Sequence, residues 1–230
     1  MPKLSNIKHI FFDLDHTLWD FETNSKKTYE FIFSKHNMAV DIDEFIAIYA
    51  PINHNYWKLY REEKVTQKAL KYARLKDSFD ALNFEITDDL IHLLAEQYLD
   101  NLSNYNTLFE GTMELLDYLK PRYELHIITN GFSEIQEAKL KNSGIFNYFD
   151  QLITSEFVAV KKPNPKIFFY ALQKANAYTY ESVMIGDNLE ADIFGAQNIG
   201  LATIYCDFTN TPSHKKVTSV TMLSQIKQYL

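Results

Sequence analysis

The chain has 230 residues, of which 46% are apolar, so it can bury a sizeable core, and global disorder is excluded. Its net charge of −7 argues against binding a nucleic-acid polymer, because such a surface needs a basic face. The single cysteine, Cys206, excludes an internal disulfide and indicates a reducing compartment, and the apolar N-terminal stretch is too short for a signal peptide or a membrane span. We therefore expect a cytoplasmic protein that does not bind membranes.

The first predicted strand carries two acidic residues at its end. It is the apolar stretch IKHIFFDLD at residues 7–15, in which Asp13 and Asp15 are separated by one residue. Because side chains at i and i+2 on a strand point the same way, the two carboxylates share one side. Two unit charges about 4 Å apart repel by ~4 kcal/mol at an effective dielectric of about 20. The pair therefore indicates a functional role that brings a cation nearby.

The next segment, from residue 21 to residue 104, has helical periodicity and no convincing strand. Thr66 and Thr87 are predicted helix N-caps, whereas Pro51 is predicted to interrupt the helical run around it. A segment of this length is an ordinary size for a domain. We predict an all-helical domain at residues 21–104, inserted into a core domain made of residues 1–20 and 105–230.

Four further apolar stretches rich in Ile, Val and Phe are predicted strands buried on both faces: residues 124–131, 151–158, 182–188 and 201–208. Helical patterns alternate with these strands, which indicates a parallel α/β sheet. The helix that follows the predicted strand at residues 151–158 begins with Asn164 as its N-cap and Pro165 at its first position.

Polar residues that can bind a metal or an anion follow the later strands: Thr129 and Asn130 after the second, Lys162 after the third, and Asp187 and Asp192 after the fourth. In open α/β sheets the ligand crevice lies beyond the carboxyl ends of the strands, so these residues are expected beside the acidic pair of the first strand. Mg²⁺, a hard ion that prefers oxygen ligands, would remove the repulsion among the carboxylates and can also bind a phosphate oxygen. The sequence thus predicts a pocket for Mg²⁺ and a phosphoryl group.

Four motifs, in this order, resemble those of the haloacid dehalogenase-like superfamily: DLDHT at 13–17, IITNG at 127–131, KKP at 161–163 and GDNLEAD at 186–192. The match spans nearly the whole chain. The resemblance implies an α/β fold with a Rossmann-like, doubly wound parallel sheet and an inserted all-helical C1 cap domain. In the family, such a cap closes over the crevice, excludes water and contacts the leaving group.

The resemblance implies a Mg²⁺-dependent phosphomonoesterase that works through an aspartyl-phosphate. Asp13 would be the nucleophile, and Asp15 would act first as general acid and then as general base. Asp13, Asp187 and the main-chain carbonyl of Asp15 would bind Mg²⁺. Asp192 would support these ligands rather than bind the ion directly.

The resemblance also implies a phosphate site made of Thr129, Asn130 and Lys162. Thr129 and Lys162 would stabilise charge on the transferred group, and Asn130 would donate its main-chain N–H. Lys161 is the alternative to Lys162. Of the two, Lys162 fits the family pattern better because Lys162 adjoins the proline. His16 stands where many members have glycine or asparagine, and we expect a local hydrogen-bonding or surface role for it, with a catalytic role as the alternative.

The same residues bear on other functions within and outside the superfamily. Its dehalogenases typically lack the second acid and need no metal, so Asp15 argues for phosphoryl chemistry. A phosphomutase shares the four motifs and a helical insert and remains an alternative. A non-catalytic binding module is the alternative from another class, but it would leave the costly acidic residues unexplained.

A finer resemblance narrows the substrate. The stretches FFDLDHTLWDF and IITNGF are similar to those of bacterial pyrimidine 5′-nucleotidases, which implies a pyrimidine nucleoside 5′-monophosphate, with a sugar phosphate of the N-acylneuraminate-9-phosphate type as the alternative. Tyr56, Trp57 and Tyr60 in the insert could stack on a base, but we favour the interpretation that they fill the core of the insert. The oligomeric state is left open by the sequence.

Overall fold

The computed structural model describes residues 3–208 and 217–230, and the Lys215–Lys216 pair, expected on the solvated surface, lies outside the described residues. The chain divides into two compact units, one made of Met1–Phe21 with Asn106–Leu230 and the other of Glu22–Tyr105. Within the described ranges, no helix combines the length and the apolar character that crossing a bilayer would require.

The first unit is built on a parallel sheet whose strands, within the described ranges, are β1 (His9–Phe12), β2 (Glu124–Thr129), β3 (Gln151–Thr154), β4 (Ser182–Gly186), β5 (Ala202–Cys206) and β6 (Ser219–Val220). Their order is β3-β2-β1-β4-β5-β6, and the short β6 was not predicted. The central strand β1 pairs in parallel with both β2 and β4, and all four of its residues are buried. The predicted doubly wound parallel α/β fold is confirmed. Because the strand order reverses at β1, its carboxyl end is where such folds bind ligands.

The second unit consists of four helices: α1 (Phe21–Lys35), α2 (Ile42–Arg61), α3 (Gln67–Ala81) and α4 (Asp88–Leu102). Thr66 and Thr87 cap α3 and α4, because their side chains accept hydrogen bonds from Ala69 N and Leu90 N. The prediction for Pro51 was wrong, since α2 continues through it. One lost backbone hydrogen bond is tolerated there because the helix packs along its length against α3.

Aromatic side chains fill the core of the helical unit. Tyr29 stacks on Tyr98 with ring centroids 4.5 Å apart, and Phe45 packs edge-on against Tyr29 at 5.0 Å. Of the three aromatic residues considered for base stacking, Tyr60 is buried, whereas Tyr56 and Trp57 are partly exposed. Tyr56 donates a hydrogen bond to Asp77 over 2.6 Å. The main aromatic core is thus formed by other residues than this trio.

Helices of the first unit connect its strands: α5 (Thr112–Leu119), α6 (Ser133–Asn142), α7 (Ser155–Val158), α8 (Pro165–Ala175) and α9 (Gly195–Gln197), the last preceded by a π-helical segment at Leu189–Phe194. Asn164 caps α8 as predicted, because its side chain accepts from Lys166 N over 3.0 Å. The third predicted strand was too long: Thr154 accepts a hydrogen bond from Phe157 N and thereby starts α7.

The core of the first unit lies between the sheet and α8. Ile167 and Phe168 of α8 are fully buried in one cluster with Phe11, Ile128 and Met184 of the sheet. This packing holds the carboxyl ends of β1, β2 and β4 in a fixed relation. Cys206, at the end of β5, is buried, and burial raises the pKa of its thiol well above the usual range.

A histidine pair lies inside the first unit, away from the strand ends that carry the motifs. His9 begins β1, and its Nδ1 lies 3.2 Å from Nε2 of His126 on β2. The His126 ring also stacks on Phe11, with centroids 4.7 Å apart. Burial and the neighbouring His9 lower the pKa of His126 to about 4, against a smaller opposing effect of Asp150. His126 is therefore neutral in the folded protein at pH 7 and stays neutral well into the acidic range.

We expect His126 to make the folded state less stable as the pH falls. Below a pH of about 6.5 the unfolded chain binds a proton at this ring and the folded chain does not. The free energy of unfolding is therefore unaffected by His126 above that pH and falls progressively as the pH drops toward 4. The loss attributable to His126 is up to about 3 kcal/mol. Urea unfolding at pH 7 and pH 4.5 should show a smaller acid loss for His126→Phe than for the wild type.

The exposed His54 supplies the control for this measurement. His54→Phe should keep the acid loss that is attributed to His126, because the His126 ring and its neighbours are unchanged in that variant. Equal acid losses in the wild type and His126→Phe would show that His126 is protonated in the folded protein.

Candidate active site

The carboxyl edge of the sheet gathers the acidic motif residues. Asp13 directly follows β1, where its N–H donates to Ile185 O of β4 over 2.9 Å. Asp187 directly follows β4, and Asp192 lies in the π-helical segment beyond it. One carboxylate oxygen from each of the three residues lies within 4.8 Å of the others. Three acidic side chains that are distant in sequence therefore form one cluster.

Lys162 is the cation of this cluster. Its Nζ lies 2.5 Å from Asp13 Oδ1 and 2.7 Å from Asp192 Oδ1, and it donates to Ile128 O over 2.6 Å. The side chain is 2% exposed. Asn130 holds the main chain at this point, since its side chain donates to Lys162 O over 3.0 Å and accepts from Lys162 N over 2.9 Å. Residues of the second and third motifs thus fix one lysine against the acid of the first.

The charges of the cluster do not balance. Burial acts to lower the pKa of Lys162, but the carboxylates of Asp13 and Asp192 outweigh it and raise that pKa, so the lysine stays charged. Burial raises the pKa of Asp13 well above its usual range, although Lys162 opposes this. Burial and the nearby Asp192 raise the pKa of Asp187 to about 7, against a hydrogen bond from Thr17. One ammonium is too little for three carboxylates, so the cluster attracts a further cation.

The donor set fits a hard divalent ion. Carboxylate oxygens are the ligands that Mg²⁺ prefers, and three of them lie within reach of one ion. Both carboxylate oxygens of Asp192 already have partners within the protein, because Oδ1 contacts Lys162 and Oδ2 accepts a hydrogen bond from Asn188 N over 3.0 Å. Asp187 is only half-buried and accepts a hydrogen bond from Thr17 Oγ1 over 3.1 Å. Asp13 and Asp187 are thus better placed to bind an ion than Asp192.

Asp15 lies beside two polar residues that the sequence analysis missed. Lys139 Nζ lies 2.6 Å from Asp15 Oδ1, and Gln136 Nε2 donates to Asp15 Oδ2 over 3.1 Å. Both belong to α6, whose buried residues are Ile135, Gln136, Lys139 and Leu140. Their spacing is that of a single helix face. A glutamine and a lysine on the apolar face of a predicted helix were the signal that could have identified them.

Thr129 is linked to Asp15 through Gln136. Its Oγ1 accepts hydrogen bonds from Gln136 Nε2 over 2.7 Å and from Gly131 N over 3.0 Å. Gly131 is needed for this approach, because a Cβ at that position would lie 2.6 Å from the side-chain carbon Cδ of Gln136. Two networks therefore connect most of the candidate residues: Gln136 joins Thr129 to Asp15, and Lys162 joins Asn130, Asp13 and Asp192. Asp187 accepts its hydrogen bond from Thr17.

His16 follows Asp15 with a left-handed backbone, at φ +65°. Glycine and asparagine adopt this conformation most readily, which explains why they suit the position, and histidine is among the residues that tolerate it. Its N–H donates to Trp19 O over 3.0 Å, and its ring lies 4.9 Å from that of Phe21. These contacts are local to the turn after β1.

Comparison with known proteins identifies the family. Residues 7–200 match the family model, built from sequences, of the haloacid dehalogenase-like hydrolases. The chain belongs to this family. It is 35% identical over 198 residues to the pyrimidine 5′-nucleotidase YjjG of Escherichia coli K12, covering 85% of this chain and 84% of that protein. It is 32% identical over 209 residues to the pyrimidine 5′-nucleotidase PynA of Streptococcus pneumoniae, covering 90% and 86%.

A solved structure of the family has the same fold along almost the whole chain. The HAD-hydrolase YfnB from Bacillus subtilis, in a crystal form bound to magnesium, superposes with a TM-score of 0.87 at 26% identity, covering 96% of this chain and 97% of that one. As a haloacid dehalogenase-like hydrolase, this protein is an enzyme, and its relatives include phosphatases that act on nucleotides. The predicted superfamily and enzyme class are confirmed.

Proposed function

We propose that this hydrolase is a Mg²⁺-dependent phosphomonoesterase that cleaves pyrimidine nucleoside 5′-monophosphates through an aspartyl-phosphate on Asp13. The observation that carries the proposal is the buried contact between Lys162 and Asp13, set against a surplus of carboxylate charge. Such a site suits a metal ion and a phosphoryl group together. The identity to two pyrimidine 5′-nucleotidases supports the choice of substrate.

Asp13 is the proposed nucleophile. One of its carboxylate oxygens attacks phosphorus, and the bond from phosphorus to the leaving oxygen breaks. Asp13, Asp187 and the main-chain carbonyl of Asp15 would hold Mg²⁺, with Asp192 in support. When bound, the ion would neutralise charge on the phosphoryl oxygens and orient the group for attack.

Asp15 is the proposed general acid and base. Its proton passes to the leaving oxygen as the ester bond breaks, and the resulting carboxylate then takes a proton from the water that hydrolyses the intermediate. A sugar hydroxyl is a poor leaving group without that proton. A residue in this role therefore suits an alkyl ester such as a nucleotide.

Lys162, Thr129 and Asn130 are the proposed phosphate site. Lys162 supplies a charged donor, and the Thr129 hydroxyl has a proton to donate because its oxygen already accepts two hydrogen bonds. Asn130 would contribute its main-chain N–H, while its side chain holds Lys162 in place. These donors stabilise the charge that develops on the transferred group.

We propose that the helical unit is the C1 cap of the family, at residues 21–104, and that residues 1–20 and 105–230 form the catalytic core domain. We also propose a cytoplasmic location, which the single buried cysteine supports.

A panel of phosphate esters tests the proposed function. With Mg²⁺ present, dUMP, dTMP and UMP should be among the best substrates, and chelation of the metal by EDTA should remove activity that added Mg²⁺ restores. Phosphate release is the measurement. Preference for sugar phosphates over nucleotides would overturn the substrate, isomerised sugar phosphate without phosphate release would indicate a mutase, and no turnover of any ester would favour a binding module.

A further inference from the structure

Two buried polar residues of α6 contact the acid that the proposed mechanism uses. Gln136 and Lys139 are three residues apart and lie on one helix face, with accessibilities of 0% and 1%. Lysine is almost never so fully buried unless it is paired, and glutamine is mostly exposed. The contacts of these two side chains therefore explain why the helix carries them in place of apolar residues.

Each of the two residues holds one oxygen of the Asp15 carboxylate. Lys139 Nζ lies 2.6 Å from Oδ1, and Gln136 Nε2 donates to Oδ2 over 3.1 Å. Separate donors on the two oxygens prevent rotation of the carboxylate about the Cβ–Cγ bond of Asp15. Asp15 is thus held in one orientation before a substrate binds.

The position of Lys139 is set by aromatic rings as well as by Asp15. Its Nζ lies 4.3 Å from the centroid of the Trp19 ring and 5.6 Å from that of Phe21. Both rings attract a cation to their faces. Trp19 is fully buried, and a β-bridge joins it to Asp15. The turn after β1 therefore carries the acid and one side of the pocket that holds its lysine.

Gln136 connects the acid to the phosphate site. Its amide nitrogen donates to both Asp15 Oδ2 and Thr129 Oγ1, which uses both of its protons. A carboxylate accepts only, so the amide nitrogen must face it. Together with Gly131 N, Gln136 occupies both acceptor positions of the Thr129 hydroxyl and leaves its proton to be donated.

We infer that Lys139 and Gln136 are positioning residues for the reaction. Lys139 orients Asp15 toward the leaving-group oxygen, and Gln136 orients both Asp15 and the Thr129 hydroxyl. This inference rests on the proposed function. It predicts that substitution of Lys139 lowers activity mainly with esters whose leaving group needs a proton, whereas substitution of Gln136 lowers it with every ester. A purely structural role would not produce this difference.

The test compares kcat/KM for two esters, dUMP and p-nitrophenyl phosphate. The second has a leaving group that needs no proton, and kcat/KM covers only the steps up to the first irreversible one, so the later role of Asp15 as a base does not enter. Lys139→Met should lower kcat/KM for dUMP roughly 10²-fold and for p-nitrophenyl phosphate less than about 5-fold. Lys139→Arg, which keeps the charge, should restore most of the loss.

Gln136→Met should lower kcat/KM for both esters roughly 10-fold or more, because the phosphoryl group and its Thr129 contact are common to both. Lys141→Met is the matched control, since Lys141 is an exposed lysine of the same helix whose Nζ lies 2.5 Å from Glu137 Oε1. It should match the wild type with both esters. Thermal unfolding of every variant verifies that it is folded.

Equal losses for the two esters in a folded Lys139→Met would overturn the role of Lys139, and an unchanged Gln136→Met would overturn that of Gln136. Should Lys139→Met fail to fold, a Lys139→Arg variant that loses the same factor with both esters would contradict the inference. Wild-type protein that hydrolyses neither ester would instead contradict the proposed function, so the two failures are distinguishable.

Discussion

Asp13→Asn is expected to lower phosphatase turnover by roughly 10⁴-fold or more, because an amide oxygen is a poor nucleophile and cannot form the aspartyl-phosphate. The two side chains have the same shape, so the hydrogen bond from Lys162 is kept. Phosphate release from the best ester of the panel gives the turnover. Acid quenching followed by mass spectrometry should find a phosphorylated Asp13 peptide in the wild type and none in the variant.

The fold should survive this substitution. Asp13 is buried beside Asp187 and Asp192, and burial and these carboxylates raise its pKa against the effect of Lys162, so loss of its charge relieves repulsion. Asp150→Asn is the control, because Asp150 is an exposed acid whose ion pair with Lys120 lies at 2.9 Å. It should retain wild-type turnover. An Asp13→Asn protein that still releases phosphate at the wild-type rate would exclude Asp13 as the nucleophile.

Lys162→Met is expected to lower both stability and activity. The ammonium is fully buried and contacts two carboxylates, and its removal leaves both without their cation. Breaking a buried pair in this way costs about 3–5 kcal/mol, which corresponds to a fall of roughly 10 °C in Tm for a chain of this size. Activity should fall by at least roughly 10²-fold, since the variant lacks one of the proposed donors to the transferred group.

Differential scanning calorimetry and phosphate release measure the two effects of Lys162→Met. Lys161→Met is the matched control and also tests the alternative lysine of the KKP motif. Its stability and activity should remain near those of the wild type, because the structure places Lys162 against Asp13 and Asp192. Adding Asp192→Asn to Lys162→Met should recover part of the lost stability, since one unpaired buried carboxylate is removed. A stable, active Lys162→Met together with an inactive Lys161→Met would reverse the assignment.

The parallel α/β fold was predictable because buried parallel strands are short, continuous apolar stretches that alternate with helices. Helix starts at Thr66, Thr87 and Asn164 were predictable because their side chains bond to the next turn of the same chain. Pro51 was wrongly predicted to break α2, since packing against α3 outweighs a local preference. The end of β3 was misplaced because α7 is only four residues long, too short for its helical periodicity to be distinguished from that of a strand. The hydrogen bond that Thr154 accepts from Phe157 N, which starts α7, is seen only in the structure.

The sequence by itself determined the family motifs, their order and their positions at strand ends. Parallel strands bring their carboxyl ends to one edge, so residues that follow β1, β2 and β4 had to meet there. Only the tertiary structure decided the partners of Asp15. Gln136 and Lys139 are more than 100 residues from it in sequence, and their periodicity shows only that they lie on the buried face of α6. Which polar groups they meet depends on how α6 packs beside the turn after β1, and neither segment encodes that packing alone.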